Sequence, residues 1–105
     1  MFQLWYYVPA EALEQTKEAV FAAGAGRIGA YEHCCWQTLG EGQFRPLPGS
    51  DPYLGSSGCL EHVPEYRVEL VCTEDHLKAS VHALRRAHPY EEPAFGVVAL
   101  APVAH

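Results

Sequence analysis

His88-Pro89-Tyr90-Glu91-Glu92-Pro93 constrains this chain more than any other stretch. A proline ring holds φ at about −65° and drives the residue before it out of the helical region. Two such rings in six residues enforce a stiff, extended corner, set where a helical pattern ends and an apolar strand pattern begins. The corner carries an imidazole, a phenol and two carboxylates. A passive linker has no need of that rigidity, so these side chains are candidates for a site as well as for a turn.

The segments on either side follow from periodicity. Phe2 to Val8 is dense in aromatic and apolar residues, as a strand buried on at least one face requires, and Pro9 ends it. Glu11 and Glu14 suit the positive end of a helix. Leu13, Val20 and Ala23 keep helical spacing, with Lys17 and Glu18 outward, so the pattern predicts a helix over 10–23 capped by Gly24.

Gly24-Ala25-Gly26-Arg27-Ile28-Gly29 carries the letters of a dinucleotide-binding GxGxxG. That fingerprint lies between a strand and the helix after it, whereas these glycines follow a helix and precede a strand. The run is therefore expected to be a helix-to-strand turn that needs positive φ.

Alternation predicts a strand from Ala30 to Leu39, with Tyr31, His33, Cys35 and Gln37 on one face. Gly40-Glu41-Gly42 reads as a hairpin turn, and Gln43-Phe44-Arg45 as a short return strand. The Pro-, Gly- and Ser-rich run 46–58 is a long loop of the kind that is functional or disordered. Tyr53 and Leu54 within it are expected either to engage a ligand or partner, or to tuck under the sheet or into a neighbouring subunit. A strand follows over 61–72, then Thr73 as N-cap with Glu74 and Asp75 in the first turn. Leu77, Val81 and Leu84 space a helix over 74–87, and Ala94 to Val103 forms a last strand.

Strand, helix, strand, strand, helix, strand is the split-βαβ order. The chain is thus expected to be one α+β domain over residues 1–105, a ferredoxin-like βαββαβ sandwich. Its four-stranded antiparallel sheet would carry two helices on one face. The other face, with Trp5 and Trp36 on different strands, suits an oligomer interface better than open water.

Charge and composition exclude several functions. Seven Lys and Arg stand against 13 Asp and Glu, a net charge of −6, and a nucleic-acid partner needs a clustered basic face. Arg85-Arg86 is the one basic pair, explained by a solvated helix end. No run approaches the ~18 apolar residues of a membrane span, and residues 1–8 have neither the basic start nor the small-residue cleavage site of a secretory signal. The four cysteines have no CxxC spacing, so no disulfide framework is expected and the cytosol is the expected compartment.

Six histidines invite a metal reading, yet none pair at i, i+4 on a helix or as HxH on a strand. His33 with Cys35 is the local pair with ligand spacing, and His88 is a third metal candidate. Any divalent metal is left open, as is the cofactor. His105 is terminal and expected to be mobile. Cys34, Cys35, Cys59 and Cys72 are nucleophiles only in principle, because a reactive thiol needs a nearby base or helix N-terminus. No catalytic residue is assigned.

Four motifs in order, AGAGRIGAYEHC, GxGxFRPLPGSDPYLG, EYRVEL and HPYEEPAF, resemble the PII/CutA-like domain inserted in YqfO-type members of the Nif-three-like family. The resemblance runs from Val8-Pro9 to about Leu100. It implies a PII/CutA-like ferredoxin fold that self-associates, commonly as a trimer. It also implies that the family's two-metal site belongs to flanking domains outside this insert, so the cyclohydrolase-like activity does not carry over. The chain departs from the family pattern at Cys34-Cys35-Trp36, where one cysteine followed by a small polar residue is expected.

The matched motifs cluster the candidate ligand-binding residues. Gly26, Gly29 and Tyr31 would form the turn and a strand wall, Phe44 and Pro46 the loop root, and Glu65, His88, Tyr90, Glu91 and Glu92 the polar contacts. His88 is read as able to switch charge near neutral pH. The plainer reading makes 88–92 a rigid corner whose side chains cap the preceding helix and pair with Arg27 or Arg67. The expected function is a self-associating, non-enzymatic module that senses a small molecule or binds a protein partner. The alternatives are a divalent-metal-binding protein of CutA type and a weak metal-dependent hydrolase.

Overall fold

The computed structural model describes residues 1–103. The expectation for His105 lies outside them. Strands β1 (Phe2–Pro9), β2 (Trp36–Phe44), β3 (Glu61–Cys72) and β4 (Phe95–Ala99) form one antiparallel sheet in the order β2-β3-β1-β4. Helices α1 (Leu13–Ala22) and α2 (Glu74–Ala87) connect β1 to β2 and β3 to β4. This is the ferredoxin-like α+β fold.

The helix-covered face is fixed by strand alternation. Leu4, Tyr6 and Val8 of β1 oppose Leu70, Val68 and Tyr66 of β3, and all but the half-buried Tyr66 are buried. From the helices, Leu13, Thr16, Val20 and Phe21 of α1 and Ser80 and Leu84 of α2 meet them. Burying an aliphatic or aromatic side chain this fully stabilises by roughly 1.5–3 kcal/mol. Thr16 is polar but satisfied: Tyr6 Oη donates to Thr16 Oγ1 at 3.0 Å, and Thr16 Oγ1 donates to the Leu13 carbonyl at 2.9 Å. Gln15 on α1 donates to the Ala87 carbonyl at 2.8 Å, covering one orphan acceptor at the end of α2.

The open face carries the other side chains of the same strands. Trp5, Glu69 and Trp36 lie in one register row, Tyr7, Arg67 and Thr38 in the next. The Arg67 guanidinium sits 4.8 Å from the Trp5 ring and 5.5 Å from that of Tyr7. Trp36 remains 59% exposed, so this face presents a large aromatic to solvent.

The expected strand over 30–39 and hairpin at 40–42 are corrected by the structure. Ile28 and Tyr31 exchange both backbone hydrogen bonds, at 3.0 and 2.9 Å, across Gly29-Ala30. Gly29 has φ +55° and His33 has φ +58°, so residues 28–33 spend their pairing on each other and not on β3. The strand begins at Trp36 instead and runs straight through Gly40 and Gly42, neither of which has positive φ. Gly42 marks a close approach, because a Cβ there would overlap the Glu65 carboxylate. The glycines at 24 and 26 do serve the turn, with φ +108° and +80°.

Two smaller corrections concern ends. β4 stops at Ala99, short of the expected Val103. Thr73 occupies the N-cap position but makes no capping hydrogen bond to the backbone. Its hydroxyl instead serves Asp75, whose carboxyl is lowered first by its own backbone N–H and then by Thr73.

β1 pairs with β3 only from Cys72 back to Glu65, whereas β2 pairs with β3 out to Glu61. Residues 41–44 and 61–64 therefore project past β1 as a two-stranded arm. That arm places the functional candidates.

Candidate functional site

The corner at 88–93 is tied to β1 through His88. His88 is 6% exposed. Its Nε2 lies 2.7 Å from the Tyr7 carbonyl, and Nδ1 accepts the Tyr90 N–H at 3.1 Å. These partners fix the neutral ring with the proton on Nε2. Burial depresses the His88 pKa below its ordinary value, opposed only in part by the Tyr7 carbonyl. His88 is a buried positioning group, which corrects the reading of it as a charge switch near neutral pH. The Ala94 carbonyl accepts the Tyr7 N–H at 3.1 Å and completes the clamp.

So held, Tyr90 turns toward the arm. Its ring centroid lies 6.1 Å from Phe44, 5.9 Å from Tyr53 and 5.0 Å from His88. Tyr90 Oη is buried and has no hydrogen-bond partner of ordinary geometry. Burial raises its pKa, and the neighbouring Glu65 carboxylate raises it further, so the phenol stays neutral.

The long loop folds back to close the opposite side. Gly58 N–H reaches the Pro46 carbonyl at 2.8 Å. Asp51 N–H donates to Glu91 Oε1 at 3.0 Å, and Tyr53 Oη donates to Glu11 Oε1 at 3.3 Å. Leu54 is half-buried.

Arm, loop and corner enclose a cleft of about 880 Å³. Its aromatic walls are Tyr7, Phe44, Tyr53 and Tyr90; Pro46 and Leu54 add apolar surface. Four carboxylates line it, Glu41, Glu65, Glu91 and Glu92, against two guanidiniums, Arg45 and Arg67. Arg67 is already committed: Nε donates to Glu69 Oε1 at 3.0 Å and an Nη donates to the Tyr7 hydroxyl at 2.9 Å. It therefore does not pair with Glu91 or Glu92, as the plainer reading of the corner had it.

Six of the ten candidate ligand-binding residues line this cleft: Phe44, Pro46, Glu65, Tyr90, Glu91 and Glu92. His88 stands behind Tyr90. Gly26, Gly29 and Tyr31 are not brought there. Gly26 N–H bonds the Val71 carbonyl, six residues along β3 from Glu65, or about 20 Å at strand rise. Tyr31 is 75% exposed at that far end.

The metal candidates do not converge. His33 stacks on Phe21 with ring centroids 4.8 Å apart, Cys35 packs against the core, and both ring nitrogens of His88 are engaged. No strand face joins His33 to Cys35, since β2 starts at Trp36. Among the described residues no three His, Cys, Asp or Glu side chains group to hold a metal. All four cysteines are free. No helix among the described residues is long and apolar enough to cross a membrane.

Tyr7 and Arg45 are cleft residues that the sequence patterns do not single out. Tyr7 had a findable signal, because strand alternation puts it on the face opposite Tyr6 and Val8. Arg45 lies next to Phe44 and Pro46, where the sequence pattern reads as the end of a short return strand.

No protein-family profile matches the chain. A "GTP cyclohydrolase 1 type 2 homolog" of Mycobacterium leprae is 50% identical over 96 residues, 91% of this chain and 25% of that protein. The Bacillus subtilis protein of the same name is 44% identical over 95 residues, 90% of this chain and 26% of that protein. This chain thus spans about a quarter of the length of the curated relatives it matches. Among solved structures, a Bacillus cereus protein related to NIF3 superposes with a TM-score of 0.81 at 35% identity, over 96% of this chain and 26% of that one. CutA1 from Shewanella sp. SIB1 superposes with a TM-score of 0.68 at 14% identity, over 98% and 83%, and shares the fold. The chain is therefore related to the NIF3/YqfO family, corresponding to a CutA-like, ferredoxin-like segment about a quarter as long as those proteins.

Proposed function

We propose that this chain is a binding module that holds a small molecule in the cleft between arm, loop and corner, and associates with further copies through its open sheet face. The cleft carries the reading. At about 880 Å³ it falls within the range of small-molecule sites. It also has the usual make-up of one, apolar and aromatic walls with a few convergent polar groups.

Binding is favoured over turnover by the lining itself. It contains no histidine and no cysteine, and its serine, Ser50, donates to the Leu47 carbonyl at 2.7 Å and not to a base. The cyclohydrolase in the relatives' names describes proteins about four times as long, and nothing assigns that activity to these residues.

Self-association rests on Trp36 and on β2, a nine-residue edge strand with one side unpaired. Exposed edges of that length pair with other chains unless blocked. A trimer is the number the family resemblance implies. Trp36→Glu is expected to weaken association, read as a shift toward monomer in sedimentation velocity.

The test of the cleft is a fragment screen by protein NMR with anionic, neutral and cationic compounds. Hits are expected to shift Phe44, Tyr53 and Tyr90 together. Hits confined to other surfaces, or none of any charge, would remove the reading.

A further inference from the structure

We propose that the cleft is built for a small organic cation, a primary or secondary ammonium borne on an apolar body. This rests on the cleft being a ligand site and narrows its ligand class.

Charge decides against an anion. The two guanidiniums are outnumbered by four carboxylates, and Arg67 is consumed by Glu69 and the Tyr7 hydroxyl. Only Arg45 remains to meet a phosphate or carboxylate, which would also face Glu65, Glu91 and Glu92. Glu65 and Glu92 have no cationic partner among the described residues. The net charge of −6 adds a field of the same sign.

The aromatic walls favour a cation for a separate reason. The Tyr90 ring centroid lies 6.1 Å from that of Phe44 and 5.9 Å from that of Tyr53. The negative π faces of such rings attract an ammonium, most strongly where water is excluded.

The hydrogen-bond pattern then selects among cations. Tyr90 Oη is buried with lone pairs unused, and the Glu65 carboxylate beside it leans over Gly42. An ammonium N–H can donate to both. A quaternary ammonium has no N–H to donate to either oxygen, so it keeps only the charge and aromatic part of the attraction.

The experiment is calorimetry on the full chain with four matched probes: tyramine, its N,N,N-trimethyl derivative, neutral 4-ethylphenol and anionic 4-hydroxyphenylacetate. Tyramine is expected to bind about tenfold or more tighter than the neutral and anionic probes. It should weaken with added salt, and the trimethyl derivative should fall between. Glu65→Gln should bring tyramine down to the level of 4-ethylphenol. Glu92→Gln, at an exposed position where folding is not at stake, should weaken it several-fold. If 4-ethylphenol or 4-hydroxyphenylacetate binds as tightly as tyramine, the cation assignment falls while the cleft survives as a ligand site. If no probe of any charge binds or shifts Tyr90 at about 10 mM, both fall.

Discussion

Replacing His88 tests how the corner is held. The ring donates to the Tyr7 carbonyl at 2.7 Å and accepts the Tyr90 N–H at 3.1 Å, and it is 6% exposed. Two net hydrogen bonds are worth roughly 1–3 kcal/mol together. Truncation also removes the ring packed between Tyr6 and Tyr90, at 6.5 and 5.0 Å. His88→Ala is therefore expected to cost about 3 kcal/mol, set against a total stability of about 5–15 kcal/mol. In thermal melts followed by circular dichroism that corresponds to a fall of roughly 10–20 °C. His88→Gln keeps a donor and an acceptor and should recover part of it.

The same residue has a pH signature with a definite sign. Its folded pKa is depressed by burial from the ordinary 6.5. The unfolded chain therefore takes up the proton first. Its contribution is complete above pH 6.5 and is lost as pH falls below 6.5 and through the depressed folded value. Wild type should lose melting temperature as pH falls through 6.5 and below, and His88→Gln should lack that component. An Ala variant melting within about 2 °C of wild type, or identical acid profiles for wild type and Gln, would refute the clamp.

Three further outcomes follow from the packing. Thr16→Val leaves the buried Tyr6 hydroxyl without its acceptor at 3.0 Å and should cost about 1–3 kcal/mol in urea unfolding; adding Tyr6→Phe should restore part of it. Burial pushes the Tyr6 phenol up to about 12, and burial together with Glu65 raises Tyr90 as well, so an ultraviolet titration should find both still neutral at pH 11, and Thr16→Val should not release Tyr6 early. Gly26→Ala meets the Phe21 ring and the Cys34 carbonyl at φ +80°, and should destabilise by about 1–3 kcal/mol, measured by the same unfolding.

The fold was legible because it rests on local regularities. The dense apolar and aromatic run of 2–8, the alternation in 61–72 and the helical spacing in 10–23 and 74–87 each name an element. Their order leaves few arrangements that bury both helices on one sheet face. The second strand was misplaced because local signals were ambiguous there. Tyr31, His33 and Cys35 alternate as a strand would, yet Ile28 and Tyr31 bond each other. Gly40 and Gly42 look like a turn, but glycine also serves where another side chain crosses a strand, and Glu65 crosses at Gly42.

The site divided along the same line. The corner's rigidity, and the presence in it of His88, Tyr90, Glu91 and Glu92, are properties of consecutive residues, and the sequence determined them. Which of them face a cleft depends on residues far away in the chain: Phe44 from the arm, Tyr53 from the loop, Tyr7 from β1. Burial is a property of the packed whole. It alone decided that His88 is a neutral strut, that Arg67 is already spoken for by Glu69 and Tyr7, and that Gly26, Gly29 and Tyr31 lie at the other end of β3.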